Sequence, residues 1–182
     1  MSAQSRSRSR SRSQSHQNYP TEVGAIIGRL ISMHLEASDT YLSLGFFFKG
    51  NTSVEGLVHF FRNLSEEKRQ GAYLLMQSQQ SSCDLYFTGQ TLPSYQCDGS
   101  LDAMETSLAL EKNLNQVLLD LHALGFANSD LQLCHFLETH FLEKEAKLIE
   151  KITDNLRNLR QQATEVDSLS EYLLKKLTFN GD

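Results

Sequence analysis

The stretch from Leu57 to Leu75, LVHFFRNLSEEKRQGAYLL, constrains the fold more than any other part of the chain. Leu57, Phe60, Phe61, Leu64 and Leu75 recur at helical spacing, which marks one packed face of a helix. Phe61, Leu64, Lys68 and Leu75 follow one another at three, four and seven, so that face also carries a lysine. A buried ammonium group is unfavourable without an anion beside it. The fold must therefore bring a carboxylate from another element up to Lys68. Gly71, inside the same helix, costs ~1 kcal/mol of helix propensity and points to close packing there.

The other periodic runs supply the elements that can meet this helix. Ile26, Ile27, Leu30, Met33, Ala37, Tyr41, Leu44 and Phe48 form an apolar stripe that predicts a first helix starting after Tyr19-Pro20-Thr21-Glu22. His34 and Tyr41 stand seven apart and share a face. Thr52 or Ser53 is placed to cap the second helix, with Glu55 completing a capping box. The third helix opens at Ser100, read as its cap, and carries Leu101, Met104, Leu108, Glu111, Leu118 and His122 on one period. A fourth runs from about Leu131 to Gln161 or Gln162, and a short fifth covers about Ser168 to Leu177.

Between Gln80 and Ser100 the periodicity stops, leaving a long connection with Leu85, Tyr86, Phe87, Leu92 and Tyr95 as docking points. A connection of that length can cross the whole bundle. The expected order is therefore up, down, down, up. The fifth helix is apolar nearly all round, which suits burial between subunits better than docking back on its own bundle.

Residues 1–18 alternate serine with Arg6, Arg8, Arg10 and Arg12 and hold almost nothing to bury. They read as a disordered tail, either a solvated extension or a segment sensitive to phosphorylation or touching nucleic acid. Residues 19–182 then form one domain, within what a 182-residue chain allows. The net charge of −5 argues against a general nucleic-acid binder, and no apolar run is long enough to span a membrane. Cys83, Cys97 and Cys134 are odd in number and widely spaced, as expected of free thiols in a reducing compartment.

Carboxylates on facing helices of a bundle can hold a pair of metal ions, typically with Glu-x-x-His on two of the helices. This chain offers His34, Glu67, Glu111 and Glu145 on four successive helices. A protonated lysine beside such a site repels metal ions and has no lone pair to give, and Gly71 has no ligand atom. An ion pair of Lys68 with Glu111, shared with Glu145, fits these residues better than a working di-iron site. Glu66 and Glu67 can hold iron loosely if their face lines a cavity; ordinary solubility is the alternative.

Longer words carry a resemblance. Tyr41-Leu42-Ser43-Leu44-Gly45-Phe46, Phe60-Phe61-Arg62, Ser65-Glu66-Glu67-Lys68-Arg69, Ala109-Leu110-Glu111-Lys112, the run Leu118 to Gly125, Phe136-Leu137-Glu138-Thr139-His140-Phe141-Leu142 and Ser170-Glu171-Tyr172-Leu173 resemble ferritins, over about residues 17–182. FFRxxxEEKRxG and LLDLHALG resemble the vertebrate light-chain type. The resemblance implies an all-α, ferritin-like four-helix bundle with a long crossover connection and a short fifth C-terminal helix lining fourfold axes. It further implies a cytoplasmic iron-storage shell of twenty-four subunits, mixed with heavy-chain type subunits that oxidise Fe(II). Iron would be stored as ferric mineral, with no catalytic cofactor and no membrane partner.

The departures from the family pattern matter as much. By resemblance the oxidising site would use positions 34, 67, 68, 71, 111 and 145, with Tyr41 beside it. His34, Lys68 and Gly71 lack the expected ligand identity, so the chain reads as not an enzyme. Glu66 and Glu67 match two mineral-nucleating glutamates, while Asn63 and Gln70 replace two more. At the threefold iron-entry channel the matches are His122, Cys134, His135 and Glu138. His135 in place of an aspartate can bind Fe(II) or Zn(II) as neutral imidazole, but weakens the field that draws cations inward. Two other readings stand beside storage: a ferroxidase with an altered site, and a divergent paralogue that assembles poorly or joins mixed shells as a minor partner.

Overall fold

The computed structural model describes residues 8–50, 55–79 and 97–179, with side chains for 18–177 among them. It is all-helical across these residues: α1 (Arg8–Phe48), α2 (Glu55–Ser78), α3 (Ser100–Ala127), α4 (Leu131–Leu137), a π-helical turn (Glu138–Leu142) and α5 (Glu143–Phe179). α4, the π turn and α5 follow one another without a gap and act as the fourth rod of the bundle.

Two contacts fix the directions. Tyr19, early in α1, donates its hydroxyl to Asp130 just beyond the end of α3, at 2.8 Å. Tyr41, late in α1, bonds Glu111 in the first half of α3. α1 and α3 are therefore antiparallel. α1 packs most extensively on α2, and α3 on the α4–α5 rod. With α2 running back along α1, the order is up, down, down, up, so the end of α2 and the start of α3 lie at opposite ends of the bundle. The expected docking residues Leu85, Tyr86, Phe87, Leu92 and Tyr95 of the connection between them, with Cys83 and the caps Thr52 and Ser53, lie outside the described residues.

The core is built in two apolar halves. One holds Leu30, Ile31, Leu75, Leu118, Leu121 and Leu137. The other holds Leu44, Phe48, Phe61, Met104, Ile152 and Leu156. Between them every rod contributes buried polar groups: His34 and Ser38, Ser65 and Lys68, Ser107 and Glu111, and Glu145. Ser38 and Ser65 clasp α1 to α2, each hydroxyl donating to the other residue's carbonyl at 2.8 Å. The polar layer is thus part of the packing, not an intrusion into it.

Several boundaries differ from the sequence expectation. α1 starts at Arg8, so Pro20 lies inside it and does not open it. A proline there removes one helical hydrogen bond, and the helix continues through the gap. Ser100 is the first residue of α3 and not its cap; Gly99 holds the cap position without a side-chain bond, and Asp102 accepts from the Asp98 N–H at 3.1 Å. Residues 168–177 are helical as the run of leucines suggests, but they continue α5 with no break. There they are exposed, Leu174 at 64% and Leu177 at 71%, and are not folded back on the bundle. Cys97 and Cys134 are buried free thiols.

Candidate functional site

The polar layer centres on Lys68. Its relative exposure is 4%, with Glu111 at 0% and Glu145 at 4%. The Lys68 Nζ donates to Glu111 Oε2 at 2.6 Å and also to Glu145 Oε1. Glu111 accepts a further bond from the Tyr41 hydroxyl at 2.6 Å. Both Glu111 oxygens therefore have strong donors. Glu145 has one, and its Oε2 has no partner at all.

That asymmetry decides the charges. Burial opposes ionisation of Lys68, but the two carboxyls outweigh it and its pKa is raised, so it stays an ammonium. Burial also opposes ionisation of Glu111, yet the Lys68 ammonium holds its pKa below the usual value. Glu145 is pushed up to about 8 by burial and by the neighbouring Glu111 carboxyl, despite Lys68. Lys68 and Glu111 thus form the ion pair, and Glu145 completes the layer as a neutral acid at neutral pH. One cation against one anion leaves the buried layer without net charge.

Gly71 has a specific neighbour. A Cβ at that position would lie 2.7 Å from His34 Cδ2 and 3.0 Å from its Nε2. The imidazole of α1 fills the space that an α2 side chain would take, and Phe141 closes it edge-on with ring centroids 5.6 Å apart. His34 Nδ1 lies 2.8 Å from the Leu30 carbonyl, which can only accept, so Nδ1 carries the proton. Burial first, and then the Lys68 charge, push the His34 pKa down to about 4. The π turn supplies Phe141 and delivers the rod to Glu145.

A groove of about 1320 Å³ between α2 and α5 leads down to this layer. Glu67, Asn63 and Gln70 stand on its α2 side, Lys144 and Lys151 on its α5 side. Glu66 is not among its lining residues and lies 3.9 Å from Arg69 instead. At the far end of α3, Glu138 Oε1 meets His122 Nε2 at 2.8 Å. His135 is exposed, with its Nε2 3.5 Å from Thr139 Oγ1. The structure brings His122 and Glu138 into direct contact, while the contact of His135 is with Thr139. Among the described residues no group of three or more His, Cys, Asp or Glu side chains could hold a metal ion.

The centre's cation position is taken by the Lys68 ammonium, which bonds both carboxyl groups, and Glu111 is further committed to the Tyr41 hydroxyl. Sequence reasoning missed that His34 occupies the space over Gly71. The signal was present in an internal glycine on α2 and a histidine on the packed face of α1, but their register across two helices cannot be read from spacing.

Comparison with known proteins agrees with this geometry. The sequence model of the ferritin-like domain family matches residues 25–162. Ferritin light chain from Felis catus is 53% identical over 169 residues, covering 91% of this chain and 97% of that protein. Ferritin light chain 1 from Rattus norvegicus is 50% identical over 177 residues, with the same coverage. Ferritin light chain from Oryctolagus cuniculus is 50% identical over 169 residues, again covering 91% and 97%. With the four-rod bundle and this likeness along nearly the whole length, the chain belongs to the ferritin family, as a subunit of the light-chain type.

Proposed function

We propose that this chain is a non-catalytic structural subunit of an iron-storage shell. The observation that carries the reading is the Lys68–Glu111–Glu145 cluster, which fills the bundle centre with an internal cation where an oxidising subunit would need metal ligands. The subunit contributes walls and stability, and Fe(II) oxidation is left to heavy-chain type partners in a shell of twenty-four. No helix among the described residues is long and apolar enough to cross a membrane. A cytoplasmic shell suits the buried free thiols.

Two surface features support assembly and storage. Val166, Leu169, Tyr172, Leu173, Leu174 and Leu177 are all exposed on the last turns of α5, an apolar surface of the kind that neighbouring subunits cover. Glu66 and Glu67 remain as exposed carboxylates for ferric nucleation, and Glu138 with His135 for cation entry. Asn63, Gln70, Lys144 and Lys151 make the groove side of α2 and α5 poorer in carboxylates, so nucleation is weak. The purified chain, alone and mixed with a heavy-chain type ferritin, is tested by native mass determination. A shell mass, alone or in the mixture, supports the reading; a monomer in both settings contradicts it.

A further inference from the structure

The groove between α2 and α5 combines an apolar wall with a set of hydrogen-bond donors. α1 packs along α2 and α3 along α5, whereas α2 and α5 face each other across about 1320 Å³. The apolar wall is rich in rings. Phe60 is half-buried on α2, Phe141 is buried on the π turn, and His34 meets Phe141 edge-on. Half-buried Leu57, Leu148 and Leu159 extend that surface. Rings and leucines left facing a cleft favour a ligand with a flat, apolar body.

The polar groups are short of acceptors. Lys144 and Lys151 stand seven residues apart on α5, two turns along one face, and neither has a carboxylate partner among the described residues. The Lys151 ammonium lies over the Phe60 ring instead, 5.4 Å from its centroid. Glu67 on the opposite rim is the one acid lining the groove besides Glu145. At the floor, Lys68 donates to Oε1 of Glu145, so the proton of the neutral acid belongs on Oε2. Oε2 is buried and has no hydrogen-bond partner. A buried O–H without an acceptor is unfavourable, and an acceptor brought in through the groove relieves it.

We propose that the groove is a binding site for a small aromatic carboxylate. The ligand's carboxylate accepts from Glu145 at the floor and pairs with Lys144. Its rings lie along Leu148 and Phe60, with the Lys151 ammonium over them. A carboxylate is the class that matches, because it accepts without donating and carries the charge that the two ammonium groups lack. A hydrogen bond from a carboxylic acid to a carboxylate is also charge-assisted and strong. A cationic ligand would meet Lys144 and Lys151, and a neutral alcohol would leave both without an anion. The assignment does not rest on the storage reading, since none of these contacts involves a metal ion.

The test adds naphthoate to the full chain and follows the polarisation of the probe's own fluorescence; the chain has no tryptophan to interfere. Binding should saturate. Lys144→Ala combined with Lys151→Ala, both at exposed positions, should weaken it about tenfold or more and leave the helical content unchanged. Glu145→Leu removes the donor and should weaken binding by about the same factor. Glu145→Gln keeps an N–H at the Oε2 position and should bind within about threefold of the parent chain. Naphthamide, the neutral amide of the same rings, should bind about tenfold more weakly than naphthoate. Absence of saturable binding would overturn the site. So would equal binding by the Glu145→Leu and lysine variants, which would put the probe on another apolar surface such as the end of α5. Equal affinity for naphthamide would overturn the carboxylate assignment. Full displacement of naphthoate by inorganic phosphate at equal concentration would overturn it in favour of a simple anion site.

Discussion

Glu145 and Glu67 line the same groove, one at its floor and one at its rim, and they behave as different chemical groups. Glu145 is buried, bonded to Lys68 and protonated up to about pH 8. Glu67 is exposed and has neither a hydrogen bond nor an ion pair among the described residues. A carboxylate on the surface is available to a passing cation, whereas one in the core already belongs to the protein's own ammonium. On the storage reading proposed above, the bundle centre filled by Lys68 is the part that forgoes metal chemistry, and exposed glutamates such as Glu67 are the groups left to meet iron.

The sharpest way to break this comparison is to remove the internal cation. Lys68→Ala strands Glu111 in the core and should cost roughly 3–5 kcal/mol, read from denaturant unfolding. Lys68→Ala at a cost below ~1 kcal/mol would mean that the layer is wetter and less committed than its burial implies.

Next in size are two opposite pH effects. The folded His34 pKa, about 4, lies below the ordinary 6.5, so the unfolded chain binds the proton more readily. The His34 contribution is therefore complete above pH 6.5 and is lost as pH falls to about 4, by up to ~3 kcal/mol. Glu145 runs the other way, because its folded pKa of about 8 lies above the ordinary 4.5. Its contribution holds in acid and fades as pH rises through 8. Unfolding midpoints against pH should show His34→Gln flattening the acid limb and Glu145→Gln the alkaline one. Slopes unchanged by either substitution would remove the charge assignment.

A smaller effect tests the filled space over Gly71. Gly71→Ala pushes a methyl group against the His34 ring and should cost about 1–3 kcal/mol. In a His34→Ala background the penalty should shrink, and a double-mutant cycle measures the coupling. At the rim, Glu67→Gln should leave stability within about 0.5 kcal/mol. In a mixed shell it should slow the first phase of ferric mineral growth, followed by absorbance. An unchanged growth rate would leave Glu67 an ordinary surface glutamate.

What could be read from the sequence follows what periodicity encodes. Phe61, Leu64, Lys68 and Leu75 repeat with the helix, so the packed face and the charge upon it are visible in one dimension. The same holds for the stripes Leu30 to Phe48 and Met104 to Leu121. Helix ends were less legible. Pro20 reads as a start, yet α1 runs through it. Residues 163–167 contain neither glycine nor proline, and the apparent gap before Ser168 is simply more helix. The π turn left no periodic trace because it alters one turn only. The contact of His34 with Gly71 depends on the register between two helices, and the missing partner of Glu145 Oε2 depends on four rods at once. Neither is a property of spacing.

Oxidation kinetics test the central claim most directly. Fe(II) is added in air to the shell of this chain alone, and ferric absorbance is followed at several iron-to-subunit ratios. With the centre held by Lys68, oxidation should stay near the protein-free rate and show no saturation with iron. A fast phase that saturates at a fixed number of irons per chain would contradict the account, because it would require metal ligands where the structure places an ion pair.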